Sequence, residues 1–263
     1  MRRLLALAAA AVMLAACAGT SSSGRGEPQT AVVRVVTEGG LAAEAAQRGE
    51  VPQVSVFGDG RVIIVGPTTL EFPGPALPNL QEFRVTGDGL GKIIDEGRDA
   101  GLLDDPPPDY GDPGITDQPT TTVTVRVAGR SRTVDVYALN FSDGVSAAQR
   151  ENRRRLTNFI ELAGDAGALG DEVLPGSTRR YDPVGVAVLL HPSDATDGDT
   201  HAWPLGDLAG TDCLVLSGSD ATTVLDAART ARDGDAWQSA GATYDVVFRP
   251  LLPDDHTCDD VST

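Results

Sequence analysis

Lysine is nearly missing from this sequence. Lys92 is the only one, and the basic side chains, 21 in all, are otherwise arginines set against 38 Asp and Glu. The formal charge of −17 repels nucleic acid and anionic lipid headgroups, which excludes nucleic-acid binding from the expected functions. Aromatic residues are also scarce, at 5% of the chain. Signatures of chemistry are missing as well. The nearest stretch to G-x-S-x-G is Leu216-Ser217-Gly218-Ser219-Asp220, which lacks the spacing of a nucleophile elbow and reads as a helix cap. His191, His201 and His256 sit among aspartates, but without H-E-x-x-H or a comparable spacing. The acid-rich stretches DYGDPGITD and DATDGD do not fit a calcium loop, and their Asp-Gly and Asp-Pro steps form turns without any ligand. No metal and no cofactor is therefore expected. Paired carboxylates for glycoside hydrolysis have no preferred pair among so many acids.

Cysteine is rare, and its placement is informative. Arg2 and Arg3 precede an apolar stretch, Leu4–Ala16, which at about 13 residues is too short to cross a bilayer and reads as a secretory signal. It ends in Leu14-Ala15-Ala16-Cys17, which looks like the lipobox of bacterial lipoproteins. On that reading residues 1–16 are removed, Cys17 carries the lipid, and residues 17–30 form a tether to the membrane. Two or more acyl chains on one residue hold a protein stably there, whereas one binds only marginally. Cys213 and Cys258 then remain as an even pair in an oxidising compartment, and a disulfide between them is expected. Two buried thiols are the alternative.

Hydrophobic periodicity gives the build. The stretch PQVSVFGDGRVIIVG alternates apolar and polar residues on either side of Asp59-Gly60, predicting a hairpin with strands near 52–57 and 61–65. A helix is predicted over about 87–100, capped by Thr86, with Leu90, Ile93 and Ile94 on one face. Residues 104–119 read as a long loop, followed by a second hairpin around Ala128-Gly129. Ser146 and Gln149 form a capping box for a second helix whose buried stripe is Leu156, Phe159, Ile160 and Ala163. On that helix Arg150, Arg153 and Arg154 read as a solvated face, with Glu151 and Arg155 paired at i, i+4. Further on come an interior strand at 184–190, extended segments at 213–216 and 243–249, and a helix at 217–231. The pattern predicts an α+β fold with antiparallel sheets and packed helices. It divides into an N-terminal domain at 31–164, a linker at 165–180 and a C-terminal half at 181–263. Thr86-Gly87-Asp88 and Ser217-Gly218-Ser219 open helices with matching stripes, which raises two related βαβ-containing halves as an expectation.

The phrases FGDGRVI, PGPALPNL, YGDPGITDQPTT, YALNF, AWPLGDLAG and RPLLPDD together resemble a family of lipoproteins from high-GC actinobacteria. The resemblance covers most of the mature chain and implies an extracytoplasmic, lipid-anchored protein on the outer face of the cell membrane with a C-terminal disulfide. No activity or catalytic residue comes with it. The function expected from these observations is a non-enzymatic binding module for an envelope protein or cell-wall component. Trp203 and Trp237 are candidate contacts, because aromatic anchors dominate interfaces, with core packing as their competing role. The alternative is an extracytoplasmic hydrolase using Asp and His residues of the C-terminal half. Cys17→Ala is expected to move the protein from the membrane pellet to the soluble fraction on cell fractionation. Equal partitioning of the two chains would contradict the anchor.

Overall fold

A computed structural model of the chain describes residues 29–40, 49–193 and 199–261. Cys17, the signal segment and most of the tether lie outside these residues. Among them, no helix is long and apolar enough to cross a membrane. The described strands form two sheets, antiparallel but for one pair, with helices packed against them, so the fold class is α+β.

The first sheet holds β1 (Ala31–Gly39), β2 (Val54–Phe57), β3 (Arg61–Val65), β4 (Leu80–Arg84), β5 (Pro119–Val127), β6 (Arg130–Tyr137) and β7 (Arg179–Arg180), in the order β6-β5-β1-β2-β3-β4-β7. Its period-two patterning is legible in β5, where Thr121, Val123, Val125 and Val127 turn inward and the residues between them are half-buried. One face packs against α1 (Gly87–Asp99) through Leu90 and Ile93, and against α2 (Ala147–Gly164) through Leu156, Phe159 and Ala163. Both helices are capped as the sequence predicts. Thr86 accepts the Gly89 N–H at 3.0 Å, and Ser146 and Gln149 bond reciprocally.

The first hairpin closes one residue earlier than the Asp59-Gly60 signal suggests. Gly60 N–H donates to Phe57 O at 3.0 Å, and Gly60 takes the left-handed conformation at φ +84°. A Cβ there would stand 2.6 Å from Val85 O, so close approach as well as turn geometry demands glycine. Residues 165–180, read from the sequence as a linker, are built into the edge of this sheet. A short helix, α3 (Ala166–Leu169), and a 3-10 turn at Gly170–Glu172 lead to β7, which pairs with β4. Thr86 N–H donates to Glu172 O and Leu174 N–H to Arg84 O, both at 2.8 Å.

The second sheet holds β8 (Gly185–Pro192), β9 (Thr200–Ala202), β10 (Cys213–Ser217), β11 (Ala236–Ser239) and β12 (Ala242–Pro250), in the order β10-β8-β12-β11-β9. As its unbroken apolar run predicts, β8 is interior. On one face α4 (Gly218–Ala228) lays Ala221, Val224, Leu225 and Ala228 over Val188, Leu190, Trp237 and Phe248. On the other, Val261 of α5 (Cys258–Val261) packs with Ala187, Leu189 and Leu251. The expected disulfide is present: Cys213 and Cys258 are joined with Cα atoms 6.2 Å apart, fastening α5 to the edge strand β10. Closing a loop of sequence separation 45 stabilises by about 4 kcal/mol in the chain-entropy model.

Strand order overturns the expected duplication. Three strands separate β4 from β5, whereas β8 alone separates β10 from β12. Amphipathic helices recur because local physics repeats, and the halves are not copies. The solvated arginine face also needs correction. Arg153 is 2% exposed, and its guanidinium donates to five backbone carbonyls: Tyr110 and Gly111 on one loop, and Tyr137, Ala138 and Phe141 on another, at 2.6–3.1 Å. Its position three residues before Leu156 puts it on the flank of the buried stripe, not opposite it. Burial lowers its pKa, with Asp112 acting the other way. Arg154 and Arg155 remain outside, paired with Glu151.

Removing Arg153 takes a donor from five carbonyls at once, and of these Ala138 O keeps the Phe141 N–H. Arg153→Leu is therefore expected to destabilise the fold by on the order of 3 kcal/mol or more, measured from urea unfolding. The surface change Arg154→Leu should leave the midpoint where it is, and equal effects would contradict the buried-clamp role.

Candidate functional site

Prolines build this site. Between β3 and β4 the chain runs through Pro67, Pro73, Pro75 and Pro78, and residues that lack an N–H cannot extend either sheet. The segment crosses instead to the second half. Ala76 N–H donates to Ala231 O at 3.1 Å, Asp233 N–H to Gly74 O at 2.8 Å, and Arg232 grips Glu71 with both guanidinium nitrogens at 3.0 and 3.2 Å. Leu77 is buried in the second core. The strap thus leaves one half and fastens onto the other.

A cleft opens where the strap, the chain from β7 toward β8 and the end of α4 meet. It has two lobes, of about 290 and 550 Å³, which share Leu77, Pro78, Arg180 and Arg229. Leu80, Leu225 and Pro250 give the smaller lobe an apolar floor, Tyr181, Asp182 and Pro183 close its side, and Asp233 lines the larger lobe. Tyr181 is fixed by donating its hydroxyl to Leu251 O at 2.8 Å, and burial pushes its phenol pKa up. Arg179, next to Arg180, reaches back to the buried Glu82 at 2.5 Å, so alternation along β7 sends one guanidinium to the sheet and leaves the next at the cleft. Arg229 pairs with the exposed Asp226 one turn earlier on α4. Leu70 and Phe72 on the strap stand fully in solvent, at 105% and 95% exposure. Planar guanidinium forks over an apolar floor suit an anionic group carried on an apolar body.

The C-terminal histidines are placed separately. His201 Nε2 meets Asp235 Oδ2 at 2.8 Å, not the neighbouring Asp199. Asp235 is 5% exposed and also accepts the N–H of Arg232 at 2.7 Å and of Asp199 at 3.1 Å. Burial pushes its carboxyl up, but the hydrogen bonds from Arg232, His201 and Asp199 outweigh it and hold the pKa below the ordinary 3.8. His256 N–H caps onto Asp260 at 2.9 Å, and His191 lies on β8 opposite Asp245. Among the described residues, no group of three or more His, Cys, Asp or Glu gathers as metal ligands. Neither His201 nor Asp235 lines the cleft.

Trp203 and Trp237, offered by the sequence as candidate contacts, are core residues at 7% and 1% exposure. Trp237 meets Trp203 edge-on at 6.0 Å, Phe248 at 5.2 Å and the His201 ring at 5.0 Å. A chain with so few aromatics spends its largest ones inside. Ser217 precedes α4 without accepting a cap bond through its side chain, so the expected serine cap is absent there. The residues that sequence reasoning missed are Arg180, Tyr181 and Asp235. Consecutive arginines just before an apolar strand were the one available signal for Arg180, while Asp235 lies 34 residues from its histidine with no local mark.

The depressed Asp235 pKa fixes a sign. A carboxyl whose folded pKa lies below its unfolded value adds stability that is fully present above the unfolded pKa and is lost as pH falls through the folded one. Asp235→Asn is therefore expected to remove part of the acid destabilisation that this carboxyl produces below pH 3.8, read from urea midpoints against pH, and to lower the midpoint at neutral pH. Unchanged acid sensitivity would contradict the hydrogen-bonded carboxylate. Comparison of the chain with models of known protein families, with curated proteins and with solved structures finds no match.

Proposed function

We propose that this protein is a lipid-anchored extracytoplasmic binding module that holds an anionic group of an envelope protein or cell-wall component in the cleft between its halves. The carrying observation is that both lobes share Arg180 and Arg229 above an apolar floor, in a chain whose overall charge is −17. Two guanidiniums converging on a concave interdomain surface offer paired donors to an anion, with Asp182 in one lobe and Asp233 in the other standing beside them. The lipobox-like Cys17 and the segment that follows would present that cleft a short reach from the membrane. Leu70 and Phe72 at the strap add exposed apolar surface beside it.

A second reading, an extracytoplasmic hydrolase, has the His201–Asp235 contact in its favour, because a buried carboxylate orients an imidazole for base catalysis in this way. The contact lies outside the cleft, and the adjoining Trp237 ring accounts for it as packing. The binding reading is the better supported.

A photocrosslinker at position 70 on the full chain in its own membrane tests the proposal. One dominant adduct is expected, lost from a chain carrying Arg180→Glu with Arg229→Glu and lost also from Cys17→Ala. An adduct pattern indifferent to the charge reversals would overturn the cleft as the binding site. An adduct lost instead from Asp235→Asn alone would favour the hydrolase.

A further inference from the structure

Four residues other than glycine adopt positive φ among those described. Ala128 and Ala240 do so in tight hairpins, each followed by a glycine also at positive φ, where the turn type explains them. Asp117 at φ 60° and Ala138 at φ 49° sit in no such turn. Both adjoin one cavity of about 230 Å³, beside the chain that enters β5 and the chain that leaves β6. Non-glycine residues held in this region persist only where the surroundings over-determine them, and such positions gather at binding sites.

The surroundings here are specific. Three of the five carbonyls held by buried Arg153 belong to Tyr137, Ala138 and Phe141, which places the 137–141 loop against α2. One and two turns further along the same helix face, Thr157 and Glu161 line the cavity. The Tyr137 hydroxyl donates to Ile115 O at 2.9 Å and accepts the Gln118 N–H at 3.1 Å, fixing the opposite wall. On the sheet side, Thr37 and Thr121 face each other across β1 and β5 with hydroxyls 3.0 Å apart, and Thr37 also meets Gln53 at 3.2 Å. Rigid walls mean little ordering on binding.

The lining chemistry narrows the ligand. Gln53, Gln118 and Asn140 bring primary amides, and Thr37, Thr121 and Thr157 bring hydroxyls. Each of these groups both donates and accepts, as a ligand made of hydroxyls requires. Among the described residues Glu161 is the only charged one in the lining, and none of them brings a cation to hold a phosphate or carboxylate. At its rim Phe141 is 44% exposed, an aromatic face against which the C–H side of a sugar ring can lie. The volume is below the range of roughly 300–1,000 Å³ usual for drug-sized ligands, so a single ring fits and a buried chain does not.

We propose that this cavity is a subsite for one neutral sugar residue of a glycan. It shares no residue with the seam cleft and stands or falls independently of the function proposed there. The test is titration of the full chain, purified in a detergent without a sugar headgroup, with cellotriose, maltotriose and chitotriose. The readout is the side-chain amide resonances of Gln53, Gln118 and Asn140. At least one trisaccharide is expected to shift them saturably at millimolar concentration. Phe141→Ala, a surface change that leaves the core untouched, should weaken that binding about tenfold, while Arg180→Glu leaves it unaltered. Resonances unmoved by all three sugars, or a shift that survives Phe141→Ala undiminished, would overturn the subsite.

Discussion

The buried ion pair between Arg249 and Asp255 is the contact on which the arrangement of the two sheets depends. Both residues are almost fully enclosed, at 2% and 4% exposure. Arg249 also donates to Glu50 O at 3.3 Å, and Asp255 accepts the Leu252 N–H at 2.8 Å, so one pair ties the end of β12 to the segment leading into β2. Gly49 at φ +72° completes the seam, since a Cβ there would press within 2.9 Å of Val247. The pair's net worth against an apolar replacement is small, but losing either partner strands the other, at about 3–5 kcal/mol. Its effect is therefore on geometry. It holds Leu252 among Ala31, Phe57, Ile63, Leu80 and Tyr181, and Arg34 adds a bridge to Asp254 at 2.6 Å. With that seam fixed, the strap has a surface to dock on and the cleft has two walls.

Arginine recurs wherever the fold has to fasten irregular chain. Five donors in a planar fork satisfy several carbonyls at once, which a lysine ammonium on a flexible stem does less well. Arg153 does this for two loops, Arg249 for the seam, and Arg232 for the strap through Glu71. In a chain poor in large aromatics, these polar clamps set positions that packing alone would leave loose. Both cavities lie beside segments held this way, which is why the same residue type organises two sites of opposite chemistry. Arg180 and Arg229 stand at the cleft, whereas Arg153 spends its charge on carbonyls and does not line the second cavity.

The features read correctly from the sequence are those set by neighbours along the chain. The caps at Thr86 and Ser146 were legible, as were the hairpins, the interior run of β8 and the pairing of Cys213 with Cys258. The failures share the opposite cause. Arg153 was placed outside because charge was weighed above its position beside the Leu156 stripe. The likeness between the two amphipathic helices suggested a repeat that strand order, a long-range property, does not contain. Residues 165–180 lack apolar periodicity and so read as a linker, although backbone bonds, Ser177 and the Arg179–Glu82 pair stitch them to β4. The cleft was invisible because its arginines, prolines and Tyr181 converge only through the seam, and the aromatic pair chosen in their place went to the core. Anchor and address rest on Cys17, outside the described residues.

The central claim is that the seam makes the two sheets one cooperative body with a cleft of fixed shape. Both tryptophans lie in the second half, so tryptophan fluorescence follows that half alone, while hydrogen exchange at the amides of β1, β2 and β5 follows the first. Measured together across a urea series, the two probes are predicted to report one coincident transition. Separate transitions, with the second half melting while the first sheet stays protected, would contradict it.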